Sequence, residues 1–167
     1  IDWMVERKAA DVVEGHPALD GVIVFERPEG AWQSSRQFAG LCAEIRNKRY
    51  DIVVDFHGIL KSGLVSAASR ARQRIGFARP RSQEGSTLFY TKRVTVPLDK
   101  LNRSEENLRL CQALATDARW PAPVIYVSDE VQEAVHEFTD LEFDSDKLVV
   151  ALHAPVERAE KQWPLRN

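Results

Sequence analysis

Lys61 is the residue whose type and position most directly predict chemistry. It lies in the segment 50–63 (YDIVVDFHGILKSG), within the first turn of a predicted helix that follows a short apolar strand. The macrodipole disfavours a cation at that end of a helix by about 0.3–1 kcal/mol. An anionic ligand would explain a lysine there. A solvated lysine on an exposed turn is the alternative that this segment leaves open.

A loop further along the chain carries more side chains suited to an anion. Arg79, Arg81 and Glu84 lie within it. Arginine binds phosphate and carboxylate groups through paired N–H donors, and a carboxylate accepts hydrogen bonds from sugar hydroxyls. Together with Lys61, these residues predict a site for an anionic or polyhydroxylated ligand. An arginine-rich solvated surface is the alternative.

Two titratable residues at the end of the same strand have two interpretations. Asp55 and His57 are two positions apart, so both could face a cleft and one could act as a base. Such residues more often cap the following helix or bind loop amides. We interpret both as architectural.

The end of the chain offers a second candidate site. His153 closes a predicted strand, and Lys161 follows a polar loop, next to Gln162, Trp163 and Pro164. A lysine in a loop after a strand can meet a diphosphate, and a tryptophan can supply a stacking surface. An ordinary interdomain loop is the alternative.

Several common signatures are absent from the sequence. There is no GxGxxG or Walker A motif, no HExxH and no GxSxG. A standard dinucleotide or P-loop site, a zinc protease site and an α/β-hydrolase are therefore disfavoured. We predict neither a metal nor a cofactor.

The distribution of charge points to a focused anion site and not to a nucleic-acid surface. The net charge is −2, yet residues 70–93 carry seven basic side chains and Glu84 as the only acid. The two cysteines, Cys42 and Cys111, have no CxxC spacing and fall on predicted apolar helix faces. Buried free thiols favour a reducing compartment, and we expect a cytoplasmic location.

Alternating strands and helices must position these residues. The predicted strands are 1–5, 22–25, 52–54, 74–77, 93–97 and 147–153. This alternation predicts an α/β fold, a Rossmann-like parallel sheet flanked by helices. Asn102 and Ser128 are predicted helix N-caps. The side chains expected on the buried faces of the two helices that follow these caps are Leu108, Cys111, Ala115, Val131, Val135 and Phe138.

Five segments, in order, resemble the ADP-heptose:lipopolysaccharide heptosyltransferases, a family of GT-B glycosyltransferases. They are IDWMVER at 1–7, HPALDGVIVF at 16–25, YDIVVDFHGILKSGL at 50–64, RIGFARPRSQEGSTLFY at 74–90 and LHA…KQWP at 152–164. The resemblance implies two Rossmann-like domains that face a cleft. Residues 1–146 would be the N-terminal acceptor-binding domain without its first strand. Residues 147–167 would begin the C-terminal donor-binding domain, so the chain is expected to be a fragment.

The resemblance also implies roles for single residues. Lys61 matches the lysine of the family's GLxKS turn, which contacts the anionic acceptor. Arg81 and Glu84 fall in the loop where the family keeps an arginine and an acid. Lys161 resembles the lysine that reaches the donor diphosphate, although Pro155 and Val156 stand where the family keeps Thr or Ser.

No catalytic residue is assigned, because the family's proposed aspartate base would precede Ile1. The fragment alone is expected to be inactive. The implied activity of the intact protein is inverting transfer of heptose from ADP-heptose to the Kdo/heptose inner core of lipopolysaccharide. The implied partners are ADP-heptose, the anionic lipid A–Kdo acceptor and, peripherally, the cytoplasmic face of the inner membrane, with no nucleic acid. A GT-B enzyme with another nucleotide-sugar donor and a non-catalytic flavodoxin-like binding module are the alternatives.

Overall fold

The structure is a computed structural model. It describes residues 1–26, 31–97, 101–114, 117–119, 125–143, 148 and 150. The chain divides into two compact units, residues 1–125 and residues 126–167. The predicted domain boundary at 146/147 lies outside the described residues and stays a prediction.

Five short parallel strands form the framework of the described part of the first unit. They are β1 (Asp2–Glu6), β2 (Gly21–Phe25), β3 (Ile52–Asp55), β4 (Gln73–Phe77) and β5 (Lys92–Val94). Strand β1 pairs with β2, and β4 lies between β3 and β5; every pairing is parallel. Parallel neighbours need a crossover. An α-helix supplies it between β3 and β4, while short 3₁₀ helices, Arg7–Val12 and Ser86–Phe89, lie in the other two connections. The predicted α/β class is confirmed.

Helices follow the strands as the sequence predicted. Helix α1 (Ala31–Asn47) connects β2 to β3, and α2 (Leu60–Ala68) connects β3 to β4. Helix α3 (Arg103–Gln112) follows β5. Its predicted cap is confirmed, because Asn102 Oδ1 accepts from Glu105 N at 3.0 Å and Glu105 Oε2 accepts from Asn102 N at 2.9 Å. This reciprocal pair satisfies two N–H groups at the start of the helix.

The strands form two sheets, β1-β2 and β3-β4-β5, and side chains connect them. The Trp3 and Phe56 rings stack with centroids 5.7 Å apart. Asp2 Oδ2 accepts from the Tyr50 hydroxyl and from Lys48 Nζ, the latter at 3.0 Å. These two donors hold the pKa of Asp2 below its ordinary value. Contacts made by side chains thus hold β1 near β3, through residues that precede and follow that strand.

Two apolar clusters make the core of this unit. Ile23, Leu41, Ile45 and Val65 join β2, α1 and α2 in one cluster. The other cluster joins β4 to α3 and consists of Ile75, Phe77, Val96 and Leu110. Helices α1, α2 and α3 therefore each pack one face against strand residues, as in a layered α/β fold.

The predicted buried face of α3 is wrong. Glu106 and Leu110, one turn apart, are the buried residues of this helix, at 6% and 0% exposure, while Leu108 and Cys111 are half-buried. Ala115, the third residue predicted for this face, lies outside the described residues. The apolar pattern missed this face because it assigns a glutamate to solvent. Both cysteines are free thiols, as predicted, but they are half-buried, and desolvation raises their pKa values.

Helix α4 (Asp129–Glu142) belongs to the second unit. Its predicted cap is confirmed, because Ser128 Oγ accepts from Val131 N at 3.4 Å. The predicted burial is wrong: Val131, Val135 and Phe138 are 50%, 52% and 56% exposed. Among the described residues, Phe143 contacts this face, with its ring edge-on to Phe138 and the centroids 5.9 Å apart. None of the helices in the described residues is long and apolar enough to span a membrane.

Candidate functional site

The turn between β3 and α2 is built around a buried carboxylate. Asp55 closes β3 and is 6% exposed. Its Oδ1 accepts from His57 N at 2.9 Å and from Gly58 N at 3.1 Å. Gly58 has φ +76°, a left-handed conformation that glycine adopts without strain. The carboxylate thus holds the chain in the sharp turn that leads into α2.

The second oxygen of the same carboxylate is also used within the fold. The Tyr90 hydroxyl donates to Asp55 Oδ2 at 2.6 Å. Burial first, and the adjacent carboxylate second, raise the pKa of Tyr90 above its ordinary value. Because both oxygens of Asp55 accept hydrogen bonds from within the fold, the geometry agrees with an architectural role.

The basic loop that follows β4 is docked onto this turn. The Gly58 carbonyl accepts from Gln83 N at 2.8 Å and from Ser86 Oγ at 2.9 Å. The hydroxyls of Ser82 and Ser86, both buried, share a hydrogen bond. The loop that carries Arg79, Arg81 and Glu84 is therefore fixed to the start of α2.

Glu84 lies at the N-terminus of α2. Its Oε2 accepts from Leu60 N at 3.1 Å, one of the N–H groups that a helix leaves unsatisfied in its first turn. The residue has φ +54°, which is unusual for a residue other than glycine. A negative charge is favourable at this end of a helix. Glu84 thus contacts the first turn of α2, the turn that also carries Lys61.

Lys61 is exposed, and its ammonium group makes one contact within the described residues. Its Nζ lies 5.6 Å from the centroid of the Phe25 ring, within the range of a cation–π contact. In the described part of the chain it forms no hydrogen bond or ion pair. Lys61 therefore keeps its three donors available beside the carboxyl ends of β2 and β3.

The two arginines of the loop have different surroundings. Arg79 is exposed and has no hydrogen-bond or ion-pair partner among the described residues. The Arg81 side chain is only 13% exposed. Its Nε donates to Glu106 Oε2 at 2.9 Å, and its guanidinium lies 4.7 Å from the centroid of the Phe77 ring. Arg81 thus anchors the loop to α3, and a ligand could meet only its remaining N–H groups.

The basic stretch 70–93 does not form one site. Three of its members support the backbone: Arg74 donates to the carbonyls of Ala71 and Phe89, each at 2.8 Å, Lys92 donates to Ala113 O, and Arg93 donates to Thr87 O at 2.9 Å. Arg70 and Arg72 line a pocket before β4, at the amino end of the sheet. Only Arg79 and Arg81 follow the carboxyl end of β4.

Sequence reasoning missed two residues that organise this region, Tyr90 and Glu106. Each is buried and bonded to a charged partner far along the chain. A helical period of four that joins Glu106 to Leu110 was the one signal available for the glutamate. For Tyr90 the sequence held no signal, because its partner is 35 residues away.

The predicted donor residues, His153 and Lys161, lie outside the described residues, as do Pro155 and Val156. Their roles stay predictions. Within the part of the chain that the structure describes, no group of three or more His, Cys, Asp or Glu side chains could hold a metal ion.

Parallel strands flanked by helices, with the exposed Lys61 beyond the carboxyl end of β3, define a Rossmann-like α/β domain. Residues 39–167 match the sequence model of glycosyltransferase family 9 (heptosyltransferase). The chain belongs to this family.

Known relatives agree with this assignment. Lipopolysaccharide core heptosyltransferase OpsX of Haemophilus influenzae is 21% identical over 166 residues, which cover 96% of this chain and 44% of that protein. Lipopolysaccharide heptosyltransferase 1 of Escherichia coli O18:K1:H7 is 27% identical over 169 residues, covering 98% of this chain and 50% of the relative. The chain thus spans about half the length of these relatives.

A solved structure has the same fold. The crystal structure of a family 9 glycosyl transferase from Veillonella parvula superposes with a TM-score of 0.76 at 22% identity. The match covers 98% of this chain and 47% of that chain.

Proposed function

We propose that the intact protein transfers heptose from ADP-heptose to the Kdo/heptose inner core of lipopolysaccharide, with inversion. In this proposal residues 1–146 bind the acceptor and residues 147–167 begin the donor-binding domain. Membership of glycosyltransferase family 9 and the names of the two relatives support the reaction class. The proposed setting is the cytoplasmic face of the inner membrane, because the lipid A–Kdo acceptor is anchored in a bilayer.

The observation that carries the acceptor assignment is the unpaired Lys61 in the first turn of α2. A cation there is disfavoured by about 0.3–1 kcal/mol, and a bound anion would turn that cost into a gain. The carboxylates of Kdo and the phosphates of lipid A have the required charge. Arg79 is exposed and could add a second cationic donor, while Glu84 could accept from sugar hydroxyls.

Inversion by direct displacement needs a base that removes the proton of the acceptor hydroxyl. The most buried aspartate of the described sheet edge, Asp55, is unsuited to that task because Tyr90, His57 and Gly58 donate to its two oxygens. The contribution of the described residues is therefore to bind and orient the acceptor. Lys161, by its resemblance, is proposed to stabilise the departing diphosphate.

A transfer assay with the intact protein tests this proposal. We expect heptose transfer from ADP-heptose to a Kdo-containing acceptor, and no transfer would refute the proposed reaction. Transfer from a different nucleotide sugar only would support the alternative donor. Absence of both transfer and nucleotide binding would support the flavodoxin-like binding module.

Lys61→Ala tests the acceptor assignment separately. We expect the acceptor KM to rise about tenfold, the loss of one charge-assisted contact, with the donor KM unchanged. Lys8→Ala is a matched control, because Lys8 is 81% exposed and its one ion pair, to Glu6, is at 3.6 Å. A larger effect on the donor KM than on the acceptor KM would contradict the assignment.

A further inference from the structure

Four arginines line a pocket at the opposite end of the sheet from Lys61. Arg46 lies in the last turn of α1 and Arg49 just after it, while Arg70 and Arg72 lie between α2 and β4. The pocket has a volume of about 540 Å³. It opens beside the amino ends of β3 and β4, so the length of β3, on the order of 13 Å, separates it from the turn that carries Lys61.

The charge of this pocket is not neutralised within the described residues. No described carboxylate lies within ion-pair distance of any of the four guanidinium groups. Asp51 is the one acidic residue among those lining the pocket. The carboxyl ends of α1 and α2 add about half a negative charge each, which leaves about two net positive charges. Lys48, close to the pocket in sequence, differs from these arginines because its Nζ forms an ion pair with Asp2 Oδ2 at 3.0 Å.

The backbone does not explain why two of these residues are arginines. Arg49 and Arg70 have φ of 55° and 56°, each directly after a helix. Glycine, and less often asparagine, usually occupies such a position because a side chain is strained there. The negative carboxyl ends of α1 and α2 favour a guanidinium at both places, and neither guanidinium has a described counter-charge, so both stay available to an anion.

The walls of the pocket are fixed by hydrogen bonds. On one side Ser69 Oγ accepts from Ala71 N at 3.1 Å, and Arg74 Nη1 donates to Ala71 O at 2.8 Å. Across the pocket, Gln73 N donates to Asp51 O at 3.1 Å. The arginines thus extend from a rigid frame, which lowers the entropic cost of binding a ligand.

We propose that this pocket binds a phosphate or diphosphate group, carried by a soluble anion or by a phospholipid headgroup. Arginine pairs with phosphate oxygens in a bidentate geometry, and the pocket's volume is typical of small-ligand sites. The proposal does not rest on the proposed glycosyl transfer, because the pocket and Lys61 lie at opposite ends of β3.

Binding to two probes tests the proposal on the intact protein at low ionic strength. One probe is inorganic pyrophosphate, followed by calorimetry. The other is flotation with vesicles of phosphatidylcholine alone or of phosphatidylcholine and phosphatidylglycerol in equal amounts. The pocket variant is Arg49→Asn with Arg70→Asn, which removes two charges and places a residue that tolerates positive φ. The control variant is Arg36→Gln with Arg119→Gln, two exposed arginines outside the pocket.

We expect the pocket variant to bind at least one probe about tenfold more weakly than the wild type or the control variant. Its thermal unfolding should show that it folds as the wild type does. Loss of vesicle binding alone identifies a lipid headgroup, and loss of pyrophosphate binding alone identifies a soluble anion. The proposal is overturned if neither probe binds, if the pocket variant binds as the wild type does, or if the control variant loses as much.

Discussion

Replacing Tyr90 with phenylalanine removes one hydroxyl group, and we expect it to destabilise the protein by about 2 kcal/mol. The hydroxyl donates to Asp55 Oδ2 at 2.6 Å. Tyr90 and Asp55 are only 4% and 6% exposed, so water cannot readily replace the lost donor. His57 and Gly58 donate to the other oxygen. Tyr90→Phe would therefore leave a buried carboxylate oxygen without a hydrogen bond.

The size of the effect follows from the charge of the acceptor. A hydrogen bond to a charged group contributes about 1.5–3 kcal/mol, more than a neutral one, and the phenylalanine ring keeps the apolar packing. For a protein of this size, 2 kcal/mol corresponds to a fall in melting temperature of about 4–8 °C. The turn that carries Lys61 depends on Asp55, so we also expect local loosening there.

The pH dependence provides a second signature of the same hydrogen bond. The pKa of Tyr90 is raised by burial and by Asp55, so the folded protein holds this proton at a pH where the unfolded chain releases it. The stabilisation is complete below the unfolded value of about 10 and is lost as the pH rises above it, by up to about 1.4 kcal/mol per pH unit. The difference between wild type and Tyr90→Phe should therefore shrink above pH 10.

Denaturant unfolding of the two proteins at neutral and alkaline pH measures both effects. Tyr126→Phe is the matched control, because Tyr126 is 40% exposed and its hydroxyl has no partner in the described residues. We expect that control to change the free energy of unfolding by less than about 0.5 kcal/mol. If Tyr90→Phe is no more destabilising than the control at neutral pH, the reasoning about Asp55 is wrong.

Two further comparisons test the packing around the site. A methyl group on Gly76 would overlap the ring of the same buried tyrosine, so Gly76→Ala should cost about 1–3 kcal/mol in the free energy of unfolding. Gly40→Ala, in α1 with no atom within 4 Å of the new methyl group, should instead stabilise by about 0.5–1 kcal/mol. If both substitutions change the free energy of unfolding in the same direction, the packing argument is wrong. Glu106→Gln removes the counter-charge of Arg81, whose side chain is 13% exposed, and should destabilise by about 3 kcal/mol. Arg103→Ala, whose partner is the same carboxylate but whose side chain is 62% exposed, should cost less than about 1 kcal/mol, and similar costs for both would refute the buried pair.

Local patterns accounted for much of the fold. The β-branched run at 52–54 predicted β3, and the cap formed by Asn102 and Glu105 predicted the start of α3. Both succeed because the interactions involved lie within a few residues of one another. The unusual position of Lys61 was also visible locally, since the start of a helix is defined by neighbouring residues.

Patterns based on apolar residues alone failed where a charge is buried. The face of α3 turns Glu106 inward because Arg81, 25 residues earlier, supplies a hydrogen bond and an opposite charge. The face of α4 was predicted to be buried through Val135, which the structure leaves exposed. Periodicity indicates which residues share a helix face, but a partner elsewhere in the chain decides whether that face is buried.

The sequence by itself determined the order of strands and helices and placed a lone lysine at a helix start. It also showed that residues 70–93 are basic, but it did not determine which groups those basic side chains would contact. Only the tertiary structure decided that Arg74 supports the backbone, that Arg81 pairs with α3, and that Arg70 turns to the amino end of the sheet. The physical reason is that a long cationic side chain is directed by whichever carboxylate, carbonyl or ring the fold brings within reach, and those partners are distant in sequence.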